Sequence, residues 1–259
     1  IDGSLFNIGR IYEQIHHNDE LFPNPIVVGN FVWKNGQKDT EVVFKPDPQG
    51  RFNVAWMPPP ELRNKKITER GKLLPANAEL GVGGVDSYDL DATVDGRGSK
   101  GALHLYNKFH MEHPSNMFVL EYASRPPLAK IFYEDVLMAA VFYGYSILIE
   151  NNKYGIARHF ESRGYDGYLM SRPAHLNSSS SKVNVKTKGI PSNSQDVIQA
   201  HAHAIEAYIH NHVGMHRESG EVGTMYFNNT LEDWIGFNIN NRTKFDLTIS
   251  SGLALLAAQ

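Results

Sequence analysis

The stretch GVGGVDSYDLD, residues 81–91, ends an apolar, glycine-bearing run in three aspartates within six residues, Asp86, Asp89 and Asp91. A strand that stops at carboxylates has either reached a solvated loop or arrived at a cation. A second acid, Glu150, closes the apolar run YSILIE, and a third, Asp246, is the one acid of the terminal segment KFDLTISSGLALLAA. Hard carboxylate oxygens of this kind suit Mg²⁺ or Mn²⁺. The chain has no cysteine, which removes disulfides, zinc–cysteine sites and cysteine nucleophiles together. Five histidines cluster in HAHAIEAYIHNHVGMH. His203 and His210 share a helix face but stand about 10.5 Å apart along the axis, too far for one metal, so a solvated face is the plainer reading.

The elements that must position these acids can be read from periodicity. Residues 79–86 read as a first strand, ALHLYNKF as a second and MFVLEYA as a third. PPLAKIFYEDVLMAAVFYGY has apolar residues at 128, 131, 132, 136, 139, 140 and 143, which is helical spacing, with Ser124 as a candidate N-cap. YSILIE is a continuous apolar run of the buried parallel type. YGIARHFESRG reads as a short helix closed by Gly164, YDGYLM as a fifth strand, and three helices follow. The order β-β-β-α-β-α-β and then helices is that of the ribonuclease H-like fold, an α/β architecture with a mixed central sheet flanked by helices. In that arrangement the first and fourth strands are parallel neighbours about 4.8 Å apart. Asp86 and Glu150 then meet on one edge, where two anions repel unless a cation lies between them. Asp246, on a helix crossing that edge, is expected to complete the set. Asp89 and Asp91 are outer ligands or solvated loop acids. Glu121, in the third strand, is a candidate to join the site, with an exposed edge acid as the plainer reading.

Residues 1–78 read differently. Strand-like runs flank Asn35-Gly36, a hairpin signal, and GRFNVAWMPPPE is a third strand stopped by prolines. The expectation is a small β-rich appendage with a polar connector, ITERGKLLPANAE, at 1–78, ahead of the ribonuclease H-like domain at 79–259. Between the fifth strand and the next helix, SRPAHLNSSSSKVNVKTKGIPSNS reads as a long mobile loop carrying Lys182, Lys186 and Lys188. These lysines and Lys153 are candidate contacts to a phosphate backbone. The formal net charge of −3, from 25 basic and 28 acidic residues, argues against tight sequence-independent grip on nucleic acid by this chain alone. Nothing approaches 18 consecutive apolar residues, so no membrane span is expected.

Three motifs, GVGGVDSYDLD, ILIENNKYG and NRTKFDLTISSGLAL, resemble the three acidic motifs of the C-terminal nuclease domain of tailed-phage terminase large subunits. GRFNVAWMPPP and KGIPSNSQDVIQAHAHAIEAYI are most similar to terminases of crAss-like phages. The resemblance covers residues 79–259 well and 1–78 loosely. It implies a Mg²⁺- or Mn²⁺-dependent endonuclease with two ions and catalytic acids at Asp86, Glu150 and Asp246. The implied substrate is concatemeric viral double-stranded DNA, cut during packaging in the cytoplasm of an infected bacterium. The implied partners are an ATPase motor domain, a portal and a small terminase subunit. No GxxxxGK[ST] phosphate loop occurs in the chain, so the motor is expected to lie elsewhere. The rival readings are another ribonuclease H-like nuclease, such as a junction resolvase, and a catalytically inert DNA-binding or assembly module.

Overall fold

The computed structural model describes residues 5–88, 100–109, 112, 114–150, 154–171, 173, 188–190, 195–238 and 245–259. Among the described residues nine strands, β1 (Val27–Trp33), β2 (Val42–Pro46), β3 (Phe52–Val54), β4 (Lys66–Glu69), β5 (Lys72–Pro75), β6 (Gly81–Asp86), β7 (Gly101–Asn107), β8 (Met117–Ser124) and β9 (Ser146–Ile149), accompany six helices. The helices are α1 (Ile8–Glu20), α2 (Ala129–Tyr143), α3 (Tyr154–Ser162), α4 (Gln195–His212), α5 (Asn228–Gly236) and α6 (Asp246–Ala258). Seven strands make one sheet in the order β2-β1-β3-β8-β7-β6-β9. β6, β7 and β8 form the expected antiparallel meander, and β9 joins β6 in parallel. The fold class is as expected, a mixed sheet with helices on both faces.

Alternation along the strands sorts the two cores. Val85, Leu103, Leu105, Ile147 and Ile149 face one way, onto Phe132, Val136, Ala140, Ile156 and Phe160 of α2 and α3. Val82, Tyr106, Phe118 and Leu148 face the other, onto Ile205 of α4, Leu231 and Trp234 of α5, and Leu253 and Ala254 of α6. α2 stops where Gly144 takes the left-handed conformation, φ 71°, a glycine terminator. Its N-terminus differs from expectation. Ser124 is the last residue of β8, and Leu128 stands at the N-cap with no side-chain hydrogen bond, because two prolines at 126 and 127 hold the chain extended. α6, apolar nearly all round, is buried over most of its length.

The β content expected of residues 1–78 is present, and three of its strands continue the main sheet beyond β8. β3 pairs with β8 through Asn53 and Glu121, so a boundary after residue 78 falls between strands of one sheet. The polar connector folds into the β4–β5 hairpin, turned by Arg70 and Gly71 at φ 49° and 77°. Residues 165–170, expected as a fifth strand, form a turn of 3-10 helix, Asp166–Tyr168, followed by a lone parallel bridge between Ile147 and Leu169. Gly167 lets β5 lie directly on this turn: a Cβ there would meet the Leu73 carbonyl at 2.2 Å.

Candidate active site

Asp86 ends β6, and Glu150 directly follows β9. Val85 and Ile149 are parallel partners, so the two acids are the next residues along neighbouring strands. Both belong to the face covered by α6. Val82 and Leu148 of that face pack in the α6 core, and Asp86 and Glu150 follow them at even spacing. Ala102, the antiparallel partner of Asp86, is fully buried and small. Glu150 is 6% exposed, and Asp86 is half-buried.

α6 brings the third acid to the same end. Its backbone lies directly on Gly84, where a Cβ would meet Ala254 N at 2.3 Å and the Ser250 carbonyl at 2.4 Å. Ser250 Oγ donates to the Gly84 carbonyl at 2.8 Å. Four residues of helix rise about 6 Å and two residues of strand advance about 6.7 Å. Asp246, four before Ser250, therefore comes level with Asp86, two after Gly84. The hydrogen bond from Lys100 N–H to Asp246 Oδ2, 3.1 Å, fixes the direction, since Lys100 lies just beyond the β7 end that pairs with Asp86. Asp246 is half-buried and opens α6, where the positive end of the helix dipole favours an anion.

A fourth acid was missed in the sequence. Asp233 of α5 accepts from Thr248 N–H at 2.8 Å and from Thr248 Oγ1 at 2.7 Å, both through Oδ2. It thus caps the first turn of α6 from outside and pins the element that carries Asp246. Burial pushes its carboxyl up to about 6, the Thr248 hydrogen bonds oppose that, and the charges of Asp246 and Glu121 add to it. Its only sequence signal was an acid in a short amphipathic helix.

Glu121 is not an exposed edge acid. It is 1% exposed, because β3 covers the side of β8 that would otherwise be the edge. Asn53 Nδ2 donates to its Oε1 at 2.9 Å, Thr230 N–H approaches its Oε2 at 3.1 Å, and Thr230 Oγ1 lies 2.5 Å from Oε2. Burial raises its pKa, with these hydrogen bonds opposing.

Asp89, Asp91, Lys153, Lys182 and Lys186 lie outside the described residues. Lys188 is described: its ammonium donates to the Leu169 carbonyl at 2.9 Å. Burial lowers its pKa, Asp166 opposes and Lys72 adds to the lowering. Among the described residues no group of three or more His, Cys, Asp or Glu side chains is gathered so as to hold a metal ion. The donor chemistry and backbone placement of Asp86, Glu150 and Asp246 nonetheless suit a hard divalent cation, since all three are carboxylates brought to one end of one sheet face. Among the described residues no helix is long and apolar enough to cross a membrane.

The topology is that of the ribonuclease H-like fold. The large terminase nuclease from the thermophilic phage G20c shares it, with a TM-score of 0.51 and 9% sequence identity over 97% of each chain. A structure of the large terminase nuclease from that phage with bound zinc gives a TM-score of 0.49 and 10% identity, covering 89% of this chain and 92% of that one. No family model matches the sequence, and no curated protein matches it significantly.

Proposed function

We propose that this chain is a divalent-metal-dependent DNA endonuclease of the terminase type, cutting double-stranded viral DNA during packaging. The observation that carries the reading is the parallel register of Val85 with Ile149, which sets Asp86 and Glu150 side by side on the face that α6 covers. The likeness in fold to the phage G20c nuclease over nearly the whole chain supports it. In this reading Asp86, Glu150 and Asp246 would be the carboxylates that hold the two Mg²⁺ or Mn²⁺ ions. Such ions, when bound, supply charge neutralisation at the scissile phosphate and a lowered pKa for the attacking water.

The chain's own residues do the rest. Gly84 lets the α6 backbone reach the sheet, and Asp233 and Ser250 hold α6 in that register, so that Asp246 is presented opposite Asp86. Lys153, Lys182, Lys186 and Lys188 are the proposed contacts to DNA phosphates, offsetting a site that is acidic until metal binds. Residues 79–259 carry all three acids and form the proposed nuclease unit, with 1–78 as its β-rich extension. The proposed partners are an ATPase motor domain, a portal and a small terminase subunit, in the cytoplasm of an infected bacterium.

The test is digestion of supercoiled plasmid with Mg²⁺, Mn²⁺ or excess chelator, alongside a four-way junction and a duplex RNA. Metal-dependent cutting of linear and supercoiled duplex DNA is expected. Cutting confined to the junction favours a resolvase instead, and cutting that persists in chelator removes the metal from the account.

A further inference from the structure

A buried row of polar groups runs from the middle of the sheet to the backbone of β6. Ser250 Oγ lies 2.8 Å from the Gly84 carbonyl oxygen and 2.9 Å from His104 Nδ1. His104 Nε2 lies 2.7 Å from Thr230 Oγ1, which lies 2.5 Å from Glu121 Oε2. Ser250, His104 and Thr230 are 0% exposed, and Glu121 is 1% exposed. The two hydroxyls and the imidazole are therefore closed to solvent, and only Glu121, at the head of the row, borders a cleft.

Each of these four contacts needs one hydrogen between its two heavy atoms. The two hydroxyls supply one each and a neutral imidazole supplies one, which leaves one contact without a hydrogen. The order of the row says which. The Gly84 carbonyl can only accept, so Ser250 gives it the hydroxyl hydrogen and must accept from His104 Nδ1–H. Nε2 is then an acceptor and takes the hydroxyl hydrogen of Thr230. Thr230 Oγ1 has nothing left to give Glu121, so Glu121 must be the donor. A carboxylic acid can do this while still accepting from Thr230 N–H and Asn53 Nδ2. A carboxylate cannot.

We propose that Glu121 is a protonated carboxylic acid in the native protein at neutral pH, heading a four-bond relay through Thr230, His104 and Ser250 that fastens α6 to β6. Glu121 and His104 are thus positioning residues. What they position, Asp246 beside Asp86, rests on the nuclease reading; the proton count does not.

The surroundings agree. Burial raises the Glu121 pKa and lowers that of His104 to about 3, keeping the imidazole neutral. Among the described residues the other titratable groups near Glu121 are Asp233 of α5, whose charge and that of Glu121 oppose one another, and Asp19 of α1 and Tyr226, which line the same 310 Å³ cleft and carry no positive charge that would hold Glu121 ionised. The folded pKa of Glu121 stands above its unfolded value. The relay's stabilisation is therefore complete below the unfolded pKa and is lost as pH rises through the folded one.

The experiment is infrared difference spectroscopy of the whole chain in chelator at pH 7, wild type minus Glu121→Gln, with ¹⁵N NMR of the His104 ring in the unsubstituted protein. A protonated-carboxyl C=O band that vanishes in Glu121→Gln, and a neutral Nδ1–H tautomer at His104, are expected. A spectrum showing only carboxylates, an Nε2–H tautomer or an imidazolium at His104 overturns the proposal. The His104 measurement needs no substitution, so it stands even where Glu121→Gln does not fold. Plasmid cutting is scored separately. The acid band without metal-dependent cutting keeps the relay and removes the nuclease reading, and cutting without the acid band does the reverse.

Discussion

Ser250 and Gly84 are joined by a 2.8 Å hydrogen bond from hydroxyl to carbonyl, and this contact sets how far along the sheet α6 lies. It requires that residue 84 have no side chain, since a Cβ there would press on the helix backbone at 2.3 and 2.4 Å. Backbone atoms packed in a core cannot step aside as the end of a side chain can.

Gly84→Ala is accordingly expected to cost about 3 kcal/mol or more, the upper range for overpacking, and to weaken metal-dependent cutting by moving Asp246. Gly36→Ala is the control. Gly36 sits at φ 69° with open space around it, so only the left-handed conformation is penalised, about 1–2 kcal/mol, with cutting unchanged. Chemical denaturation of both variants beside a plasmid assay decides it. A Gly84→Ala protein as stable and active as wild type would mean that α6 does not lie against β6.

Asp233 makes a pH prediction for the metal-free protein. Its folded pKa, about 6, stands above the usual 3.8. The stabilisation is therefore present in full below about pH 4 and is lost as pH rises through about 6, at most about 3 kcal/mol. Asp233→Asn keeps one oxygen to accept from Thr248 and is expected to flatten the wild type's fall in melting temperature over that window. Melts in chelator from pH 4 to 7 read this directly. Identical slopes for the two proteins would show that Asp233 titrates normally.

The lysines can be separated. Lys182→Ala with Lys186→Ala is expected to reduce the salt slope of DNA binding by about two, roughly 0.9 for each lost phosphate contact. Lys188 already donates to the Leu169 carbonyl, so Lys188→Ala is expected to show in stability as well as in binding. Fluorescence anisotropy across a salt series measures both slopes, and an unchanged slope in the double variant would place the grip elsewhere.

How much was legible in the sequence differs by residue, and the reason is physical. Asp86 and Glu150 could be paired because each ends an apolar run, and the order of elements makes the first and fourth strands parallel neighbours. Gly164 announced its helix end, and φ there is 79°. α1 was equally legible and was missed: Ile8, Ile11, Tyr12 and Ile15 keep helical spacing behind Asn7, which caps Arg10 N–H. Glu121 was not legible. Its burial depends on β3 reaching β8 from residues 52–54, and its partner Thr230 lies 109 residues away. Asp233 is similar, since its work is done on Thr248, in a different helix. Local pattern reads strand ends and caps; it does not read which distant chain covers them.

In the proposed function Asp86, Glu150 and Asp246 form one metal-dependent cutting site. The most direct measurement is Mn²⁺-dependent linearisation of supercoiled plasmid by wild type, Asp86→Asn, Glu150→Gln and Asp246→Asn at equal folded concentration, with melts to confirm the fold. Wild type is expected to cut and each variant to lose at least about 100-fold, roughly 2.7 kcal/mol of transition-state stabilisation. Asp86→Asn is expected to melt no lower than wild type without metal, because one of two neighbouring anions is gone. Wild-type cutting by any folded single variant would contradict the account.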